Sequence, residues 1–364
     1  MTLATPAAAL AKRAALTNAI WGSSARIPLP VTRYSCSEAG GPANLALTTY
    51  WAPDADDCGW LVVQSLGVGL TPSAPAKIHS KMLYAQFPGA TRLLIVHGGH
   101  HQGFTWPNPT DGGYTGGTTP ADVHWQPPGM RWLIKRAAVN GCDLLMVPMP
   151  LMGENRIFCD RDGENVDLVV AGPQTPDGNP HEFFPIRPDL WPVTGHWLKF
   201  FLDPVLSGLD WMLAARAYDR VGITGVSGGG WTSTVAAALD PRIERSYPVS
   251  GSVPLAYRRE VIRPGYAGRE GDAEQYEPAL VGTADYDDLY LMGVADAGRR
   301  SHLYYSMCDP VCFSGEAVSR FGSALERHAA DGGFGDLRIR VLPGDTHDFQ
   351  IPMVDAILDD FLGA

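Results

Sequence analysis

The stretch Gly225-Val226-Ser227-Gly228-Gly229 constrains this chain more than any other, because it ties a strand, a sharp turn and a helix to one serine. It follows the apolar run 220–225 and opens a helix in which Trp231, Val235, Ala238 and Leu239 recur on one face. In the pattern G-x-S-x-G the serine takes strained backbone angles that project its hydroxyl away from the sheet, while the glycines permit close packing. The rest of the chain repeats this order. Short apolar runs alternate with helical patterns, which implies an α/β protein with a mostly parallel sheet flanked by helices.

Strands are expected at 31–36, 45–51, 60–66, 92–97, 143–147, 220–225, 244–249, 302–307 and 337–342. Those up to about residue 66 lack intervening helices and read as an antiparallel start. Pro148 cuts short the strand at 143–147, since proline cannot donate to a central ladder. Thr5-Pro6 reads as an N-cap and first helical position for a surface helix over 6–19. Asp203-Pro204 reads the same way for a helix with Leu206, Leu209, Leu213 and Ala217 along one stripe. Val318, Phe321, Leu325 and Ala329 mark another helix face, and Val354, Ile357, Leu358 and Phe361 the last.

With no internal repeat and no second hydrophobic unit, the expected organisation is an N-terminal helical extension over 1–30 and a single domain over 31–364. Insertions at about 100–130 and 152–196 follow the C-terminal ends of strands, where loops of open α/β sheets build pockets. They read either as a substrate-binding rim or as ordered surface decoration. Trp106 in the first insertion and Val226 in the elbow are the expected substrate contacts.

A chain of 364 residues that is 45% hydrophobic can bury a large core, and its net charge of −11 argues against nucleic acid and anionic membrane surfaces as partners. No apolar stretch approaches the ~20 residues that span a bilayer. The run Ala7 to Ala11 is short, preceded by Pro6 and followed by Lys12-Arg13, so it does not read as a secretory signal. The reading leans towards a soluble, cytoplasmic protein, with a secreted or periplasmic one as the alternative if a leader is missing. Among Cys36, Cys58, Cys142, Cys159, Cys308 and Cys312 there is no C-x-x-C pair, and buried free thiols are expected, with disulfides left open. Oligomeric state is not readable.

A serine hydroxyl near neutral pH needs a base beside it, itself oriented by a third group. His347 lies in the turn-rich loop Pro343-Gly344-Asp345-Thr346-His347-Asp348-Phe349, directly after the alternating run 337–342, and is the expected base. Asp309 follows the buried run 302–307 and is the expected acid. Glu316 is the runner-up, in the first turn of the next helix, where a carboxylate merely suits the helix dipole. An oxyanion hole needs backbone N–H donors. Gly228 supplies one, and Gly99 or His100, after the apolar run ending in His97-Gly98-Gly99, supplies the other.

His97, His100 and His101 also raise the question of a metal, since imidazole is a common ligand. Against it, no carboxylate stands at H-E-x-x-H spacing, and adjacent histidine side chains diverge. No metal and no cofactor are expected. His97 should brace its loop, and His100 can touch substrate. Met146, Met149 and Met152 read as core or pocket lining, and Glu154 with Arg156 as an exposed ion pair.

Strand–H-G-G, strand–G-x-S-x-G–helix, strand–Asp and strand–His, in this order from about residue 31 to the end, resemble the α/β-hydrolase superfamily. The extra glycine in Gly225 to Gly230, with Trp231 following, looks like its dienelactone-hydrolase and acetyl-xylan-esterase-like branch. The dienelactone hydrolases proper differ in using a cysteine nucleophile. The resemblance implies an eight-stranded, mostly parallel sheet with its second strand antiparallel. It also implies Ser227 as nucleophile, Asp309 as acid, His347 as base and amides near Gly99 and Gly228 as the oxyanion hole. The expected activity is hydrolysis of a small carboxylic ester through an acyl-enzyme, the ester having an aromatic or carbohydrate-linked group. Amide hydrolysis, acyl transfer and a non-catalytic binding role are the alternatives on the same scaffold.

Overall fold

The structure is a computed structural model, and it describes residues 3–35, 55–66, 76–100 and 128–363, except 153–154, 162–163, 168–180, 182, 187–190, 193 and 264–265. The expected strand at 45–51, Trp106 and most of the insertion at 100–130 therefore lie outside the described residues.

The strands of the main sheet begin with β1 (Val31–Ser35), β2 (Asp57–Leu66), β3 (Ala76–Gln86), β4 (Arg92–His97) and β5 (Asp143–Val147). A short pair follows, β6 (Arg156–Arg161) and β7 (Glu164–Asp167), and then β8 (Arg220–Val226) and β9 (Arg245–Val249). A separate hairpin, β10 (Glu260–Arg263) and β11 (Tyr266–Arg269), precedes β12 (Arg300–Ser306) and β13 (Asp336–Leu342). Among the described residues the sheet has 11 strands, with a main path β1-β2-β3-β5-β4-β8-β9-β12-β13. From β2 to β13 this path holds the expected eight strands, and β3 alone runs against its neighbours. The expected total of eight is corrected by β1, which extends the edge, and by the β6–β7 hairpin hung on β3.

Period-two patterning explains the layers. In β4, Leu93 and Ile95 enter one buried cluster while Leu94 and Val96 enter another; in β5, Leu145 and Val147 divide from Leu144 and Met146 in the same way. The second cluster is covered by α2 (Pro128–Val139), through Met130, Leu133, Ile134 and Ala137, and by the C-terminal helix Ile351–Leu362, through Met353, Val354, Ile357 and Phe361. The first is covered by α1 (Pro6–Trp21) and by the helices Lys199–Ala215 and Gly228–Leu239.

β3 has no counterpart among the expected strands. Its outer half alternates Lys77, His79 and Lys81 with buried Ile78, Ser80 and Met82, so the apolar signal is diluted by lysines and a serine. The helix α1 begins as expected, with Thr5 Oγ1 accepting from the Ala8 amide, but it is more than a surface helix. Ala9, Leu16 and Ile20 are fully buried, and the Arg13 guanidinium donates to the carbonyls of Ala238 and Met292 at 2.8 and 3.1 Å.

Between α2 and the helix Lys199–Ala215 lies α3 (Phe183–Ile186), a single turn. The expected helix start at Asp203-Pro204 is corrected. The helix α4 starts at Lys199 and carries Pro204 in its interior. Interior proline costs ~3 kcal/mol, which the burial of Phe200, Phe201, Leu202 and Val205 offsets at roughly 1.5–3 kcal/mol per side chain. Asp203, read as a cap, is instead buried and accepts from Trp21 Nε1 at 2.7 Å.

Candidate active site

Ser227 sits between β8 and the helix α5 (Gly228–Leu239) with φ 60° and ψ −128°, a region nearly closed to residues with side chains. Its N–H donates to Val249 O at 3.0 Å, and its carbonyl accepts from Trp231 N at 3.0 Å. Surrounding backbone thus holds the strained turn, and the serine stays partly exposed while the residues on either side are buried. Gly229 has no room for a side chain, because a Cβ there would lie 2.4 Å from His97 O. At Gly99, φ is +61° and a Cβ would lie 2.4 Å from Val226 O. The loop after β4 is therefore pressed directly against the elbow.

On the other side of β8, strand β9 ends at Val249. Ser250 follows with φ 43°, and its hydroxyl donates to Asp309 Oδ2 at 2.8 Å. Asp309 Oδ1 accepts from the amides of Val311 and Cys312 at 2.9 and 3.2 Å. His347 Nδ1 lies 2.9 and 2.8 Å from the two Asp309 oxygens. Burial alone would raise the Asp309 pKa, but His347, the Val311 amide and Ser250 outweigh it and hold the carboxyl below the usual range. The acid is thus ionised and hydrogen-bonded on both oxygens, and the imidazole is held through Nδ1 with Nε2 3.9 Å from Cys312 Sγ. The runner-up Glu316 is exposed on α9 (Gly315–Val318) and pairs with Arg320 at 3.8 Å.

The two amides expected opposite Gly228 separate clearly. Gly99 N donates to His97 Nδ1 at 3.3 Å, so it is turned into the protein, and the His100 amide is the one left for a ligand. His97 is fully buried, and burial pushes it down to about 3, so it stays neutral and braces this loop. The Gly228 N–H, first in α5, has no intrahelical partner to find. Val226, expected at the substrate, is corrected: as the last residue of β8 its side chain turns into the buried cluster with Met130, Val249 and Phe349. Cys142 is a buried free thiol as expected and Cys58 is buried, but Cys308 is exposed, and no disulfide joins two described residues.

Three residues that sequence reasoning did not bring together lie beside the elbow. A Cβ on Gly228 would stand 2.7 Å from both Nδ1 and Cε1 of His100, so that imidazole roofs the residue after the serine. Its Nε2 is 3.0 Å from His181 Nδ1, and His181 Nε2 contacts Pro150 O at 2.9 Å. His181 Nδ1 is 3.6 Å from Glu274 Oε2. Burial would lower the His181 pKa, but the Glu274 charge outweighs it and holds it raised; His100 is lowered, by burial above all. In the described part of the second insertion Phe184 is fully buried, its ring stacked at 5.5 Å on Trp197 just beyond the insertion.

A mostly parallel sheet with helices on both faces, and a strained serine at a strand-to-helix turn, define the class: the protein has the α/β-hydrolase fold. Among solved structures it is similar to acetyl xylan esterase 1 from Thermoanaerobacterium sp. JW/SL YS485, with TM-score 0.54, 15% identity, and 98% of this chain and 94% of that one covered. It is also similar to the acetyl xylan esterase from Paenibacillus sp. R4, with TM-score 0.50, 15% identity, and 98% and 93% covered. No family model matches the sequence, and no curated protein matches it. Among the described residues no helix is long and apolar enough to cross a membrane.

Proposed function

We propose that the protein is a serine hydrolase that cleaves small carboxylic esters through an acyl-enzyme. The observation that carries this reading is the Asp309–His347 pair, closed at 2.8 Å in the loops after two strands, together with a serine held at φ 60° after a third. Linkage through backbone supports it: Ser227 N is bonded to Val249 O, and the next residue, Ser250, is bonded to Asp309.

Ser227 Oγ attacks the ester carbonyl while His347 Nε2 takes its proton. Asp309 holds the Nδ1–H and stabilises the imidazolium. The amides of Gly228 and His100 face the tetrahedral oxyanion, where one such donor is worth about 10²–10³ in kcat. Collapse expels the alcohol, which takes the proton from His347 and leaves Ser227 acylated. Water then repeats the sequence and frees the acid. No cofactor enters these steps.

Acetylated carbohydrates are the first ester class to try, since both similar structures are named acetyl xylan esterases. The test is turnover of p-nitrophenyl acetate and of an acetylated xylo-oligosaccharide by the wild type and Ser227→Ala. Hydrolysis that vanishes with the hydroxyl supports the reading. Equal rates in both proteins overturn it.

A further inference from the structure

The geometry points to a binding site for one divalent transition-metal ion of the zinc type, held by His100 Nε2, His181 Nδ1 and a carboxylate oxygen of Glu274, with Asp272 as a fourth ligand. The three primary donor atoms lie within 4.8 Å of one another. Their separations are 3.0 Å between the two imidazoles, 3.6 Å from His181 to Glu274 Oε2 and 3.9 Å from His100 to Glu274 Oε1. Asp272 Oδ2 stands 3.4 Å from His100 Nε2. Metal–ligand bonds of 2.0–2.2 Å in a tetrahedron put neighbouring donors about 3.4 Å apart. With one Glu274 oxygen as ligand the spacings run from 3.0 Å up to at most 4.8 Å, so an ion fits once the carboxylate shifts by up to about 1 Å.

Glu274 supplies the independent sign. Its side chain is fully buried, and neither carboxylate oxygen has a hydrogen-bond partner among the described residues. A carboxylate stripped of water and left without donors is costly, and a nearby imidazole at 3.6 Å closes no hydrogen bond. A dication between the three groups would neutralise the Glu274 carboxylate and take one of its oxygens and both ring nitrogens as ligands. Imidazole nitrogen mixed with carboxylate selects zinc-like ions over magnesium or calcium, which take oxygen ligands.

The position has a consequence at the serine. His100 would bind the ion through Nε2, which fixes its proton on Nδ1, the atom that lies against Gly228. The ion would thus be a positioning group for the loop that carries the His100 amide, and not an acid at the ester itself. This consequence rests on the serine hydrolase reading; the binding site does not.

The test uses the full-length protein, stripped with a chelator and titrated with Zn²⁺ at neutral pH, with bound metal counted by plasma mass spectrometry. One equivalent per chain is expected, lost by at least 100-fold in affinity in Glu274→Gln and in His100→Gln. His302→Gln, which removes an ordinary imidazole–carboxylate pair with Asp336 at 3.1 Å, should bind as the wild type does. Co²⁺ in place of Zn²⁺ should give the visible absorption of a tetrahedral site. Failure of the wild type to hold zinc, or retention of full affinity in His100→Gln, overturns the proposal, and His100→Gln decides the matter if Glu274→Gln does not fold. Because the readout is metal content, a failed Ser227→Ala test would leave the result standing.

Discussion

Asp309 and His347 meet at 2.8 and 2.9 Å, whereas Glu274 and His181 stand 3.6 Å apart, and the contrast extends to everything around them. The Asp309 oxygens are filled by a serine hydroxyl and two amides as well as the imidazole. The Glu274 oxygens have no such donors among the described residues. A buried carboxylate that is closed on its histidine orients that histidine for proton transfer. One that is left open, beside a second imidazole, offers the donor set proposed above for a cation. In the proposed roles the same two residue types would do different work according to how completely the backbone satisfies them.

The strongest way to break this comparison is to open the closed pair. Asp309→Asn should lower kcat/KM for p-nitrophenyl acetate by roughly 10³–10⁴, and Ser227→Ala by at least as much, both with an unchanged circular dichroism spectrum. Glu274→Gln at a fixed zinc concentration should cost far less in rate while abolishing metal retention. Equal rate losses in Asp309→Asn and Glu274→Gln would erase the proposed division of roles.

Next in size is the packing that brings the two clusters to one place. Gly229→Ala would set a methyl 2.4 Å from His97 O, a backbone atom with nowhere to move. A loss of about 3 kcal/mol in unfolding free energy is expected from the denaturant midpoint, by overpacking. A variant as stable as the wild type would show that the loop after β4 yields more than its contacts imply.

A third buried carboxylate sharpens the comparison because its hydrogen bond is to an indole, and burial outweighs the pull of Lys199 and Arg26. Asp203 is bonded to Trp21 Nε1, and burial pushes it up to about 6. The unfolded carboxyl releases its proton near pH 4, so the folded state holds the extra proton between about pH 4 and 6. This contribution is fully present below about pH 4 and is lost as pH rises through 6. Asp203→Asn keeps an acceptor for Trp21 and removes the charge, so it should stabilise the protein by about 2 kcal/mol at pH 8 and little at pH 4. A shift in melting temperature of the same size at both pH values would rule this out.

Legibility followed the same division. The placement of Ser227, Asp309 and His347 after strand ends was readable because sequence periodicity marks each strand and the turn that closes it. Val226 was misplaced because adjacency to a nucleophile in sequence means the opposite face in a strand. Pro204 misled the start of α4, since the aromatic residues before it outweigh its helix-breaking cost. His181 and Glu274 come from an insertion and a short helix far apart in the chain, α6 (Ala273–Tyr276) in the second case, and no spacing links them. The available signal was compositional: His181 lies three residues before Phe184, which is buried, and a histidine carried into the interior needs a partner.

The smallest effect measures what closure itself is worth. Ser250→Ala removes one of the donors on Asp309 while leaving the Val311 and Cys312 amides and His347 in place. A buried hydrogen bond to a charged group contributes about 1.5–3 kcal/mol, but the remaining donors absorb part of the loss, so about 1 kcal/mol of stability should disappear. The loss of one donor lets Asp309 bind a proton more readily, so the acidic limb of the rate profile should move to higher pH. Turnover at neutral pH should fall less than tenfold, in kcat more than in KM, because the defect lies in orienting His347 and not in holding the ester. If instead Ser250→Ala matched Asp309→Asn, the hydroxyl would belong to the machinery itself, and the closed pair would be a closed triad of Ser250, Asp309 and His347.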